Sequence, residues 1–214
     1  MAKYYESTTV FNFSWDQVAQ GFWKRYPNPH SSHVLSEDTI TREVRSGKLF
    51  TKRLLTKTNR VPKWGERLIS KNTVKIVEES IIDPNEKVLI TYTRNLGYAR
   101  IMSVIEKVVY KINTENPNTT IAVRSAWIDS RVMGLGRAIK AFGLDRFRKN
   151  CSQMVNGFDY VLHNMFPKMQ PPNSQSHTSP LSTAEKLKDA ARSASDLAKS
   201  KAKPIYASCQ ANQS

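Results

Sequence analysis

Residues 5–13 alternate between apolar and polar positions, which puts one face of a strand in a core and the other in water. Six further runs are rich in β-branched residues: Ser36–Arg45, Lys48–Lys57, Asn72–Ile82, Lys87–Arg94, Ile101–Ile112 and Thr119–Trp127. Turn formers break neighbouring runs at Gly47, at Asp83-Pro84-Asn85 and from Asn113 to Asn118. The spacing predicts an antiparallel meander of about seven strands.

The period lengthens twice. Ser14 opens a first helix: Ser14 with Gln17 fits a capping box, and Phe13 with Val18 fits a hydrophobic staple. Phe22, Trp23 and Tyr26 share one face of that helix and are expected to bury deeply. Pro27-Asn28-Pro29 then stops it near Tyr26, because proline lacks an N–H and disfavours helix in the residue before it. Arg25 is left in the last turn, at the carbonyl end and the border of the apolar face. A cation there suits the helix dipole and is placed to meet an anion. An ordinary core helix with a capping arginine also accounts for the run. The second helix spans roughly Leu135–Asn164. Ile139, Phe142, Phe147, Cys151, Met154, Phe158, Leu162 and Met165 form its apolar stripe, with Arg137, Lys140, Arg148 and Lys149 mostly off it. The fold class is α+β: a curved antiparallel sheet gripping a long C-terminal helix.

Several segments, taken together and in order, carry a resemblance. They are Trp15, Phe22-Trp23-x-Arg25-Tyr26-Pro27-Asn28-Pro29, His33-Val34-Leu35, Arg53-Leu54-Leu55 and Pro62-x-Trp64. Over residues 1–168 the chain resembles the PRELI/slowmo family, and the PRELI branch most. The resemblance implies a StART-like helix grip with an internal lipid cavity. It implies a carrier of phosphatidic acid between the outer and inner mitochondrial membranes, supporting cardiolipin synthesis, in the intermembrane space. It places Arg25, His33, Lys57, Arg60 and Arg146 at the lipid headgroup. Gln153 stands near a position where the family has a further lysine. A small twin-cysteine helical hairpin is implied as a heterodimeric chaperone. The slowmo branch shares most of the scaffold, which leaves phosphatidylserine open as the cargo. On this basis Arg25→Glu is expected to abolish transfer and leave the protein folded.

Composition and charge narrow the alternatives. The formal net charge is +15 and the sequence pI about 9.9, a field that attracts polyanions. Residues 171–214 hold only six Lys and Arg against three Asp and Glu, so most of the charge lies in the body of the chain. The cations are spread over many strands, and no nucleic-acid-binding signature accompanies them, so nucleic acid is not expected as a partner. A basic adaptor for nucleic acid or an acidic protein is the reading from another class. Nucleophile-elbow, zincin, phosphate-loop and Cys-x-x-Cys signatures are absent, so neither an enzyme nor a cofactor is expected. Glu78 and Glu79 are consecutive on a strand and point to opposite faces, which excludes a catalytic dyad. Cys151 lies on the apolar face of the second helix and reads as a small core residue.

Lys57–Lys71 is longer than a hairpin connection needs. It interleaves Lys57, Arg60, Lys63, Arg67 and Lys71 with Val61, Trp64, Leu68 and Ile69. Tryptophan beside cations suits an anionic membrane surface. The family places a mobile lid here, with Val61, Lys63, Trp64, Arg67 and Leu68 at the membrane. A short amphipathic helix packed on the sheet is the plainer reading. No apolar run approaches the length of a bilayer span, and the first residues resemble neither a secretory signal nor a strong presequence. Beyond the body at 1–168, residues 169–181 read as a Pro/Ser-rich linker. Residues 182–214 read as an Ala/Lys-rich tail, helical or disordered, whose removal is expected to leave fold and transfer intact.

Overall fold

The structure, a computed structural model, describes residues 2–58 and 73–167. Seven strands form one antiparallel sheet: β1 (Lys3–Phe11), β2 (Val34–Arg45), β3 (Lys48–Thr58), β4 (Thr73–Asp83), β5 (Val88–Asn95), β6 (Ser103–Ile112) and β7 (Thr120–Asp129). The order across the sheet is β1-β7-β6-β5-β4-β3-β2. β2 to β7 are the expected meander. β1 departs from it and pairs with β7, because residues 12–33 form a helix and turns in place of a hairpin.

Local chemistry fixes the joints. Ser46 and Gly47 both take positive φ, the geometry of a two-residue hairpin turn that matches strand twist. The Asp83 carboxylate accepts from the N–H groups of Asn85 (3.1 Å) and Glu86 (3.2 Å), tightening the β4–β5 turn. The capping box of Ser14 and Gln17 opens α1 (Trp15–Gly21). The chain then tightens into a 3-10 turn at Phe22–Lys24. That tightening ends the shared helical face: Phe22 is fully buried, whereas Trp23 and Tyr26 are half-buried.

α2 (Gly136–Met165) lies against the sheet. Its inner face buries Ile139, Gly143, Cys151, Gly157, Phe158, Val161 and Leu162. Two glycines in this set are spacers. A Cβ at Gly143 would lie 2.5 Å from Met102 Sδ, and one at Gly157 2.6 Å from Asn28 Oδ1. Met165, expected in the stripe, is exposed; Phe166 reaches the core in its stead. One apolar core joins Phe11, Phe13, Trp15, Val18, Phe22, Leu89, Tyr110, Phe158 and Leu162. Phe11, Tyr110 and Phe158 of this core also border the cavity between sheet and helix.

Candidate functional site

The site begins where α1 stops. Pro27 and Pro29 turn the chain sharply, and Asn28 locks the turn. Its Nδ2 donates to the Arg25 carbonyl at 2.6 Å, and its Oδ1 accepts from the His30 N–H at 2.9 Å. Asn28 is held in turn against the bare backbone of Gly157. The turn therefore fixes Arg25 relative to both the sheet and α2.

The Arg25 guanidinium stacks on Phe22, 4.1 Å from the ring centroid, and lies 5.3 Å from that of Tyr26. It meets an anion, as its position at the helix end suggested, and that anion is Glu78. Arg25 Nη2 donates to Glu78 Oε2 at 2.7 Å. Glu78 sits on β4 directly opposite Arg53 on β3, and Arg53 is 1 % exposed. Arg53 grips the other carboxylate oxygen, with Nε 3.0 Å from Glu78 Oε1 and Nη2 bonded to the same atom. Arg53 Nη1 also lies 2.9 Å from Glu37 Oε2, one diagonal step across β2. The four groups form an alternating chain, Arg25–Glu78–Arg53–Glu37.

Electrostatics within this chain are uneven. Burial alone would raise the Glu78 pKa, but Arg25 and Arg53 outweigh it and hold it down at about 2. Burial disfavours the Arg25 charge, and Glu78 more than restores it, so its pKa is raised. Glu37 is pushed up by burial, against the pull of Arg53. Donor capacity is left over. Among the described residues, Arg25 Nε is buried without a hydrogen-bond partner, and Arg53 Nη1 faces Glu37 in poor alignment.

Arg25 and Glu78 open onto a cavity of about 40 Å³ between sheet and α2. Lys57, Thr91, Thr93, Glu106, Tyr110 and Arg124 also line it, and Met154, Val155 and Phe158 cover it from α2. Arg124 of β7 and Glu106 of β6 form a second buried ion pair, and Arg124 Nη1 lies 3.7 Å from Cys151 Sγ. The lining carries Arg25, Lys57 and Arg124 against Glu78 and Glu106, a net of one positive charge.

The expected headgroup residues divide. Arg25 and Lys57 both line the cavity, and Lys57 Nζ lies 6.0 Å from the Tyr26 ring centroid. His33 is half-buried beside them; burial, then Lys57 and Arg146, lower its pKa. The field at His33 thus brings Arg146 of α2 to the same end of the molecule. Arg60 lies outside the described residues, as do Val61, Lys63, Trp64, Arg67 and Leu68, and the whole of 169–214. Gln153 is exposed on α2.

The structure changes one expectation. Arg25→Glu would set a second carboxylate against Glu78 within the interior and remove half of its compensation. The protein is no longer expected to tolerate that change, since breaking a buried pair costs about 3–5 kcal/mol. Sequence reasoning missed Arg53, Glu78, Glu106 and Arg124 as site residues. Strand parity held the signal: the register that turns Lys57 inward also turns Arg53, Leu55 and Thr51 inward.

Likeness to known proteins shows the family. Residues 16–168 match the PRELI-like family model. The chain is 48% identical over 166 residues to "PRELI domain-containing protein 1, mitochondrial" of Bos taurus, covering 76% of each chain. It is 32% identical over 167 residues to "Protein UPS1, mitochondrial" of Saccharomyces cerevisiae, covering 77% of this chain and 95% of that protein. In fold it resembles the Zhui aromatase/cyclase of Streptomyces sp. R1128, with a TM-score of 0.56 at 12% identity, over 80% of this chain and 100% of that one. That likeness supports the helix-grip architecture alone.

Proposed function

The chain belongs to the PRELI-like family, and from that premise we propose that it is a non-enzymatic carrier of phosphatidic acid between mitochondrial membranes. The observation that carries the reading is Arg25: a largely buried guanidinium at the wall of an internal cavity, with an N–H left without a partner among the described residues. A phosphate taken out of water must be met by cations and donors, or its desolvation cost is prohibitive. Arg25 and Lys57 supply the charge, while Thr91, Thr93 and Tyr110 supply hydroxyls on the same wall. The net single positive charge of the lining suits an anionic phosphate with no cationic group attached to it. Phosphatidylcholine would bring a quaternary ammonium to the same wall and find no net negative charge there.

The cavity sets a condition on loading. Its volume of about 40 Å³ admits a few water molecules, far below the roughly 300–1,000 Å³ of ligand sites. Acyl chains enter only if Met154, Val155 and Phe158 move away from the sheet. Transfer then becomes a cycle of docking, opening, capture of the phosphate at Arg25 and closure, without covalent chemistry. The mitochondrial names of the relatives support a mitochondrial site of action, and the intermembrane space is the proposed compartment. A small cysteine-paired helical partner is proposed with it, to cover apolar surface that opens during the cycle.

The test is transfer between vesicles by purified protein, with phosphatidic acid, phosphatidylserine and phosphatidylcholine as parallel cargoes. Phosphatidic acid is expected to move at least about tenfold faster than phosphatidylcholine, a difference of about 1.4 kcal/mol. Equal rates would sink the proposal, and faster phosphatidylserine would redirect it to that lipid. Mass spectrometry of co-purifying lipids separates a carrier from a basic adaptor.

A further inference from the structure

We infer that the Glu78 carboxylate competes with the lipid phosphate for Arg25, so that headgroup binding is an exchange of one anion for another on that guanidinium. The inference rests on the carrier reading above and adds to it the group that regulates binding and release.

Three observations carry it. Glu78 and Arg25 both line the cavity, and their contact is a single bond, Nη2 to Oε2 at 2.7 Å. Glu78 holds Arg53 by its other oxygen, through Nε at 3.0 Å and Nη2. Arg53 lies behind the cavity wall, 1 % exposed, and is paired a second time with Glu37. Arg25 is thus the only one of these two guanidiniums that can reach a ligand. If Arg25 leaves Glu78 for a phosphate, Glu78 keeps Arg53 and is not stranded as an unpaired buried charge. Arg25 Nε also carries an N–H that Glu78 does not use and that no group accepts among the described residues.

The arrangement answers a problem every carrier faces. A buried guanidinium with no counter-charge would be costly in the empty state and would hold a phosphate too tightly to release it. A resident carboxylate offsets the first and limits the second. Glu78 is therefore a positioning residue that sets affinity and release rate, with no contact to the lipid required.

The experiment titrates dihexanoyl phosphatidic acid and dihexanoyl phosphatidylcholine into the wild-type chain, Glu78→Gln and Glu78→Asp, with thermal unfolding recorded for each. Glu78→Gln removes the competing charge and is expected to bind phosphatidic acid about tenfold more tightly, the equivalent of one charge-assisted hydrogen bond. Its dissociation slows in proportion, and vesicle transfer slows with it. Glu78→Asp keeps the charge but withdraws it by one methylene, is expected to fall between the two, and decides the matter where Glu78→Gln does not fold. In wild-type protein with nitrogen-labelled arginine, the Arg25 Nε resonance should move on binding while that of Arg53 stays. Unchanged or weaker binding by a folded variant, or an Arg53 resonance that moves as far as that of Arg25, would overturn the exchange. Wild-type protein that does not prefer phosphatidic acid to phosphatidylcholine would refute the carrier reading itself, and the exchange with it.

Discussion

Two buried arginine–glutamate sites face the same cavity, and they are built differently. On β6 and β7, Arg124 meets Glu106 one to one. At the end of α1, Arg25 and Arg53 share Glu78 between them, with Glu37 as a poorly aligned fourth member. The first is a one-to-one pair in which the charges cancel, and Arg124 Nη1 serves both Glu106 Oε1 and Cys151 Sγ. The second has donor capacity to spare, and it adjoins Lys57 and His33. On the proposed reading, arginine in a cavity does not by itself make an anion site; what matters is whether it has a carboxylate to itself, as Arg124 does, or shares one, as Arg25 does.

The comparison can be broken most forcefully at Arg53. Arg53→Met strands Glu37 and leaves Glu78 with a single partner, both in the interior. A loss of about 3–5 kcal/mol is expected, measured by denaturant unfolding. Replacing the one-to-one pair as a unit, Glu106→Leu with Arg124→Met, should behave otherwise. Swapping a whole buried pair for apolar groups is neutral or stabilising by about 1–4 kcal/mol, and phosphatidic acid transfer should persist. Transfer lost in a stable double variant would show that the second site also receives the phosphate.

Acid titration sharpens the same contrast. Glu78 has a folded pKa of about 2, below its ordinary value of 4.5. Its contribution is therefore complete above pH 4.5 and is lost as pH falls towards 2, amounting to about 3 kcal/mol. Glu37 works in the opposite sense, since its pKa is raised. Unfolding free energies measured from pH 7 to pH 2 should fall along this limb, and the fall should be shallower in Glu78→Gln, where the lowered Asp83 still contributes. The smallest effect concerns Cys151, whose thiol is pushed up to about 11, chiefly by burial. In native protein at pH 8 it should resist alkylation, and peptide mapping should find modification at Cys151 only after unfolding.

The fold was largely legible in the sequence, because each element had its own local signal. The capping box at Ser14, the Gly47 turn and the stripe on α2 all reflect short-range chemistry that burial then reinforced. The pairing of β1 with β7 was not legible, since no local signal links strands at opposite ends of the folded chain. Within the site, Arg25 and Lys57 were found and their carboxylate was not. Glu78 and Glu79 do face opposite ways, as consecutive strand positions must, and that local parity says nothing of what Glu78 meets inside. Its role depends on Arg53 across the strand pair and on Arg25 from a helix fifty-three positions away. Such a relation belongs to register and packing. The glycine at 157 was illegible for the same reason, as its use is to let Asn28 approach α2.

The central claim is that an anionic headgroup lands on Arg25 and not merely inside a basic protein. It is tested most directly by a magnetisation-transfer contact between the phosphorus of bound dihexanoyl phosphatidic acid and the guanidinium N–H groups of the chain. The expected result is a contact to the Nε–H of Arg25 and none to Arg124. A contact to Arg124 alone, or to no buried arginine, would contradict the account.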